Sequence, residues 1–107
     1  MAVSRRLRML VVASCCASVT PVVAAADEAK ANGERLYERY CATCHGDDLQ
    51  NNSGIAFDLR RLKADEHPRF VNSVQHGKNA MPSWQGVLTQ EQIEALWLYV
   101  RANANQE

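Results

Sequence analysis

Apolar positions recur with a helical period in three separate stretches of the chain. In residues 27–40, Ala29, Gly33, Leu36, Tyr37 and Tyr40 fall at i, i+4, i+7, i+8 and i+11, which predicts one helix with a single apolar stripe. Asp27 and Glu28 stand at its start, where negative charge suits the helix dipole. A second, shorter helix is expected from Pro68 to His76, with Phe70, Val71 and Val74 turned inward and Gly77 as its stop. The last helix has the strongest signal: Thr89 and Gln92 form a capping box, and Ile93, Leu96, Trp97 and Val100 follow at i, i+3, i+4 and i+7. Gly33 would let this last helix cross the first closely, and Trp97 and Tyr99 read as core aromatics. No strand alternation and no internal repeat appears, so the fold class is all-α. Between the first two helices, residues 46–67 show no period and are rich in Asp, Asn, Ser and Gly near their start. An irregular stretch of that length is unusual in a compact domain. It becomes reasonable if the loops wrap a flat apolar cofactor.

The first 26 residues have a different pattern. Arg5, Arg6 and Arg8 precede an acid-free apolar run through Val22-Val23, and the small residues Ala24-Ala25-Ala26 lead to the first acid, Asp27. This is the layout of a secretory signal peptide, with cleavage expected after Ala26 and a mature domain of residues 27–107. Ser14, Ser18, Thr20 and Pro21 interrupt the run too often for it to span a bilayer comfortably, so no membrane span is expected in the mature chain. Val12-Ala13-Ser14-Cys15 resembles a lipoprotein processing box, and Ser4-Arg5-Arg6 a twin-arginine signal, but too few apolar residues precede Cys15 for the first.

Composition matters mainly through this division. A chain of 107 residues holds one domain, and 12 Lys+Arg against 12 Asp+Glu give no electrostatic reason to expect nucleic acid. Losing residues 1–26 removes three bases and no acids, so the remaining 81 residues carry nine bases, twelve acids and a net charge of −3. A domain of that size is close to the limit at which a core suffices without a staple.

The staple is suggested by Cys41-Ala42-Thr43-Cys44-His45, a C-x-x-C-H sequence and the signature of c-type haem attachment. Two thiols one helical turn apart can add to the two vinyl groups of one porphyrin, and the imidazole that follows is then held beneath the iron. Export from the cytoplasm agrees with that chemistry. Three other readings of the pair exist: a thioredoxin-like dithiol, which needs a β-α-β context not visible here; half a zinc site, for which His67 and His76 are the only spare imidazoles; and a structural disulfide, strained at a two-residue gap.

For the opposite face of the iron, Met81 is the leading candidate, with His76 and His67 as alternatives. Met81 stands in the aperiodic segment Lys78-Asn79-Ala80-Met81-Pro82-Ser83-Trp84, where Pro82 biases it towards an extended backbone. His67 precedes Pro68, and His76 closes a helix, where a cation suits the dipole. Ligation by His45 and Met81 would fill both axial positions and raise the reduction potential, which favours an electron carrier over a haem enzyme. An enzyme or sensor with a labile sixth ligand is the alternative.

Gly33, Leu36, Tyr37, Cys41-x-x-Cys44-His45-Gly46, Met81-Pro82 and the final helix together resemble the class I, single-haem cytochromes c across nearly the whole mature chain. The resemblance implies crossed amino- and carboxy-terminal helices, a shorter middle helix, and loops around one covalent haem c. A narrower likeness, in Ala56-Phe57-Asp58-Leu59-Arg60 and in Phe70-Val71-Asn72-Ser73-Val74 through Trp84, is to periplasmic cytochromes serving quinoprotein (PQQ-dependent) alcohol dehydrogenases. It implies such a dehydrogenase as electron donor and an oxidase as acceptor; oxidase-linked and photosynthetic relatives share much of the pattern. Trp84, like the matching Trp of relatives, is expected to donate its indole N–H to a haem propionate; Arg60 and Arg61 are further candidates to pair with the propionates, and Lys78, beside the ligand loop, is expected in a docking rim. Many class I members carry a Pro after the histidine whose carbonyl holds the ring proton. Residues 46–66 contain no Pro, so a carbonyl near Gly54-Ile55 is expected in that role.

Overall fold

The computed structural model describes Cys16, residues 22–51 and residues 53–105. The proposed leader's residues 1–15 and 17–21 lie outside the described residues. Among the described residues four α-helices form the architecture: α1 (Val22–Tyr40), α2 (Ala42–His45), α3 (His67–His76) and α4 (Gln90–Asn103). The described residues contain no strand, only isolated bridges at Lys78–Met81 and Gln85–Leu88.

The helices follow the periodic pattern with one extension. α1 begins at Val22, five residues before the expected start, so Asp27 and Glu28 are not in its first turn. The added residues do no packing work: Val22 and Val23 are 84% and 70% exposed, and the first buried position is Gly33. α3 starts at His67, with Pro68 in its first turn, where the missing N–H costs nothing, and stops at Gly77. α4 carries the expected capping box, with Thr89 Oγ1 accepting from Gln92 N–H and Gln92 accepting from Thr89 N–H.

α1 and α4 make the most extensive helix–helix contact in the molecule. The crossing depends on Gly33, because a Cβ there would overlap the Ala95 carbonyl and come within 3.0 Å of Tyr99 Cβ. Tyr37 and Tyr99 meet beside it with ring centroids 5.2 Å apart. Leu36, Tyr37, Phe70, Val74, Ile93, Leu96 and Val100 form the core, joined by Leu49 and Leu62 from the irregular stretch. Those two leucines give no periodic signal, yet both are fully enclosed.

The stretch between α2 and α3 is partly ordered into short 3-10 turns at residues 47–49, 59–61 and 64–66. It is hooked to α4 from behind: Arg101 donates to the Leu62 carbonyl at 2.6 Å, and Asn105 N–H donates to the Arg60 carbonyl at 2.8 Å. One face of this stretch is therefore fixed to the helical frame while the other fronts the site.

Candidate functional site

Cys41 continues the hydrogen bonding of α1, donating its N–H to Tyr37 at 2.8 Å, and the chain turns at once into α2. Cys44 and His45 both return N–H bonds to the Cys41 carbonyl, at 3.2 and 2.9 Å. The two sulfurs are thus neighbours on one helical face, as i, i+3 positions must be. α2 ends because Gly46 takes φ +86, where a side chain would run into the Gln50 carbonyl. Tyr37 Oη donates to the Gly46 carbonyl at 2.6 Å and pins that exit from below.

His45 Nδ1 donates to the carbonyl of Phe57 at 3.1 Å. The ring acceptor is therefore Phe57, two residues beyond the Gly54-Ile55 position expected from the sequence. The difference has a local cause: Asn51 Nδ2 bonds the Ala56 carbonyl, which leaves Ile55, 87% exposed, facing solvent and carries the chain on to Phe57. Burial pulls the His45 pKa below its ordinary value, and the Phe57 bond opposes that in part. The ring is neutral at neutral pH, with its proton on Nδ1 and a lone pair free on Nε2.

Met81 arrives from the loop after α3. Gly77 ends α3 at φ +74, and Lys78 and Met81 then exchange backbone hydrogen bonds of 3.1 and 2.9 Å around a turn in which Asn79 has φ +54. The far end of the loop is stitched to α3: Trp84 N–H donates to the Val74 carbonyl at 2.9 Å, and Ser83 Oγ bonds the Gln75 carbonyl. A Cβ on Gly77 would sit 2.5 Å from the Met81 carbonyl oxygen and 2.9 Å from Ser83 N. Gly77→Ala is therefore expected to displace the Met81 loop and destabilise the protein by about 1–3 kcal/mol, measured as a lower denaturation midpoint.

These segments enclose a cavity of about 1040 Å³. Cys41, Cys44, His45, Met81 and Trp84 lie on its wall, while Leu59, Leu62, Phe70, Leu96 and Val100 make an apolar floor. Trp84 packs edge-on against Tyr40, centroids 5.2 Å apart, so the Met81 loop touches the end of α1 just before Cys41. The charged wall residues are Arg39, Arg69 and Lys78.

Some expected residues are elsewhere. Arg60 is not on the cavity wall: it is turned onto Asp58, with Nε and Nη2 at 3.0 and 2.9 Å from the two carboxylate oxygens. That bidentate pair forms locally because Asp58 also caps the 3-10 turn through Arg60 N–H. Arg61 is absent from the wall as well. His67 bonds Glu94 at 2.7 Å and meets Trp97 edge-on, and His76 is exposed at the end of α3, so neither alternative imidazole is on the cavity wall. Sequence reasoning did not find Arg69, which lies on the wall, or the carbonyl of Phe57; a backbone acceptor has no side-chain signature.

The site can be tested for what it holds. Burial, then the neighbouring Cys44, pushes the Cys41 thiol up to about 12, the reverse of the lowered thiol that dithiol redox chemistry uses. No cluster of three or more His, Cys, Asp or Glu suited to a metal ion occurs among the described residues. Two free thiols, a neutral imidazole and a thioether on the wall of an apolar cavity this large fit a haem.

Cavity and crossed helices together define a c-type cytochrome. The family described as cytochrome c oxidase, cbb3-type, subunit III, matches residues 28–100. Cytochrome c6 of Thermosynechococcus vestitus is 38% identical over 87 residues, covering 78% of this chain and 76% of the relative. Cytochrome c6 of Thermostichus vulcanus gives the same figures. The quinohemoprotein alcohol dehydrogenase ADH-IIG of Pseudomonas putida is 32% identical over 75 residues, which cover 68% of this chain and 10% of the enzyme. The chain belongs to the cytochrome c family, within its class I fold. It is a monohaem electron-transfer protein that carries covalent haem c.

Proposed function

We propose that Cys41 and Cys44 hold the haem by thioether bonds, that His45 and Met81 are the axial ligands of its iron, and that the chain works in the periplasm. There it accepts single electrons from a quinoprotein alcohol dehydrogenase and delivers them to a terminal oxidase. The observation that carries the ligand assignment is that His45, at the end of α2, and Met81, in the loop after α3, line the same cavity as both cysteines.

When bound, the haem supplies one iron that takes up and releases a single electron. The protein sets the terms of that exchange. The Phe57 carbonyl fixes the His45 ring and keeps its proton on Nδ1, so that Nε2 is the ligating atom. Met81 contributes a soft thioether, which favours the reduced state. With one protein ligand on each side, no coordination position is left for a substrate. Leu59, Phe70, Leu96 and Val100 keep water from the floor, while Cys44, Ile55, Lys78 and Pro82 are exposed wall residues that a partner can reach. No described helix is long and apolar enough to cross a membrane.

The donor is supported by the Pseudomonas relative, in which a segment similar to this chain is part of a quinohemoprotein alcohol dehydrogenase. The cytochrome c6 relatives favour a second reading, a carrier serving a different partner. Rapid-mixing kinetics separate the two: reduction of the ferric protein by quinoprotein alcohol dehydrogenases from the same source is expected at catalytically useful rates, and failure with all of them removes that donor. The leader is proposed to leave after Ala26. Cleavage there costs α1 only exposed residues ahead of Gly33, and mass spectrometry of the haem-loaded protein is expected to find Asp27 at its amino terminus.

A further inference from the structure

Residues 46–66 contain no Pro, and the loop that presents the Phe57 carbonyl to His45 has little core contact of its own, with Ile55 87% and Phe57 41% exposed. Something must nevertheless hold that carbonyl 3.1 Å from Nδ1. The Asn51–Ala56 bond closes the loop on itself but does not attach it to the helical frame. Beyond the hooks at the Arg60 and Leu62 carbonyls, the Phe57 side chain itself is held by Arg69 of α3. Its guanidinium carbon lies 4.7 Å from the centre of the Phe57 ring, well inside cation–π range. The same guanidinium donates to Glu66 Oε1 at 2.7 Å, and Glu66 in turn accepts from Lys63 N–H at 2.8 Å, so the cation is braced at the start of α3. Arg69 also lies on the cavity wall with His45.

We infer that Arg69 is a positioning residue for His45: by clamping the Phe57 ring onto α3 it holds the carbonyl that fixes the ligand imidazole. The cation acts on the Phe57 side chain, while the Phe57 main chain acts on the histidine. α3 also leads through Gly77 into the Met81 loop, so one helix braces both sides of the site. This inference rests on the reading of His45 as an iron ligand.

The test uses haem-loaded protein and follows exchange of the His45 Nδ1 proton by NMR in the ferric and ferrous states. Arg69→Gln and Phe57→Leu are each expected to speed that exchange about two- to fivefold, the range for loss of one partly exposed cation–π contact. The double variant should exchange no faster than either single one, Arg69→Lys should lie between wild type and Arg69→Gln, and the core amide of Val100 should be unaffected. Unchanged exchange in Phe57→Leu would overturn the clamp and leave Arg69 a partner for the anionic edge of the haem. Multiplying effects in the double variant, or equal acceleration at Val100, would also overturn it. A His45 ring without paramagnetic shifts in the ferric protein would remove the ligand reading and the clamp with it. A shifted ring indifferent to Arg69 would remove only the clamp.

Discussion

A Cys41→Ala/Cys44→Ala variant, made in a host with the haem-attachment machinery, is expected to lose all covalently held haem. Acidified solvent should strip its colour completely, whereas the unaltered protein should keep its colour in the chain. The two thiols lie one helical turn apart on the wall of a cavity with an apolar floor, together with His45 and Met81. Without the thioether bonds, the haem would be held by contacts and the proposed ligation alone, and every unfolding event could release it. The effect should reach the fold as well. The domain that the proposed cleavage would leave is small to stand without a staple, and Leu59, Phe70, Leu96 and Val100 face the cavity. The variant is therefore expected to melt at a lower temperature and over a broader range, as measured by far-ultraviolet circular dichroism.

Met81→Ala should leave the haem attached and change what it does. On the proposed ligation, removing the thioether would take away the ligand that favours the reduced state, and the midpoint potential is expected to fall by about 0.1–0.3 V, within the ~0.8 V range over which axial ligands set haem potentials. The vacated position should bind cyanide in the ferric form and carbon monoxide in the ferrous form quickly, which the unaltered protein should not do. Direct titration of the potential and rapid-mixing ligand binding measure the two effects separately. Lys78 and Trp84 keep their backbone partners in this variant, since Met81 holds the loop through its N–H and carbonyl and not through sulfur. A loss of potential with a preserved loop would assign the effect to the sulfur.

The periodic parts of this fold were legible in the sequence because burial on a helix leaves a repeating trace. Gly33, Leu36 and Tyr37 on α1, the Pro68-to-Gly77 bounds of α3 and the Thr89–Gln92 box of α4 could each be read from spacing alone. The C-x-x-C-H run was equally plain, since its chemistry is carried by adjacent side chains. Leu49 and Leu62 escaped because single apolar residues in a polar loop have no period, although their burial depends on where that loop is hooked. The acceptor for His45 was displaced to Phe57 because the Asn51–Ala56 closure, a contact between a side chain and a distant carbonyl, sets the path of the loop. Arg60 was drawn away from the cavity by Asp58, two residues before it. Spacing shows which residues share a helix face; it does not show which of two nearby partners a long charged side chain will choose.

The early start of α1 belongs to the same lesson. Val22 to Ala26 are compatible with helix and simply continue it, so local geometry does not mark the boundary at which cleavage is proposed.

The central claim is that protein groups hold the iron from both sides, nitrogen from His45 and sulfur from Met81. Electron paramagnetic resonance of the ferric protein at neutral pH tests it most directly, with Met81→Ala measured alongside. The account predicts a purely low-spin signal in the unaltered protein that becomes high-spin when Met81 is lost. A high-spin signal in the unaltered protein, or a low-spin signal that survives Met81→Ala unchanged, would contradict it.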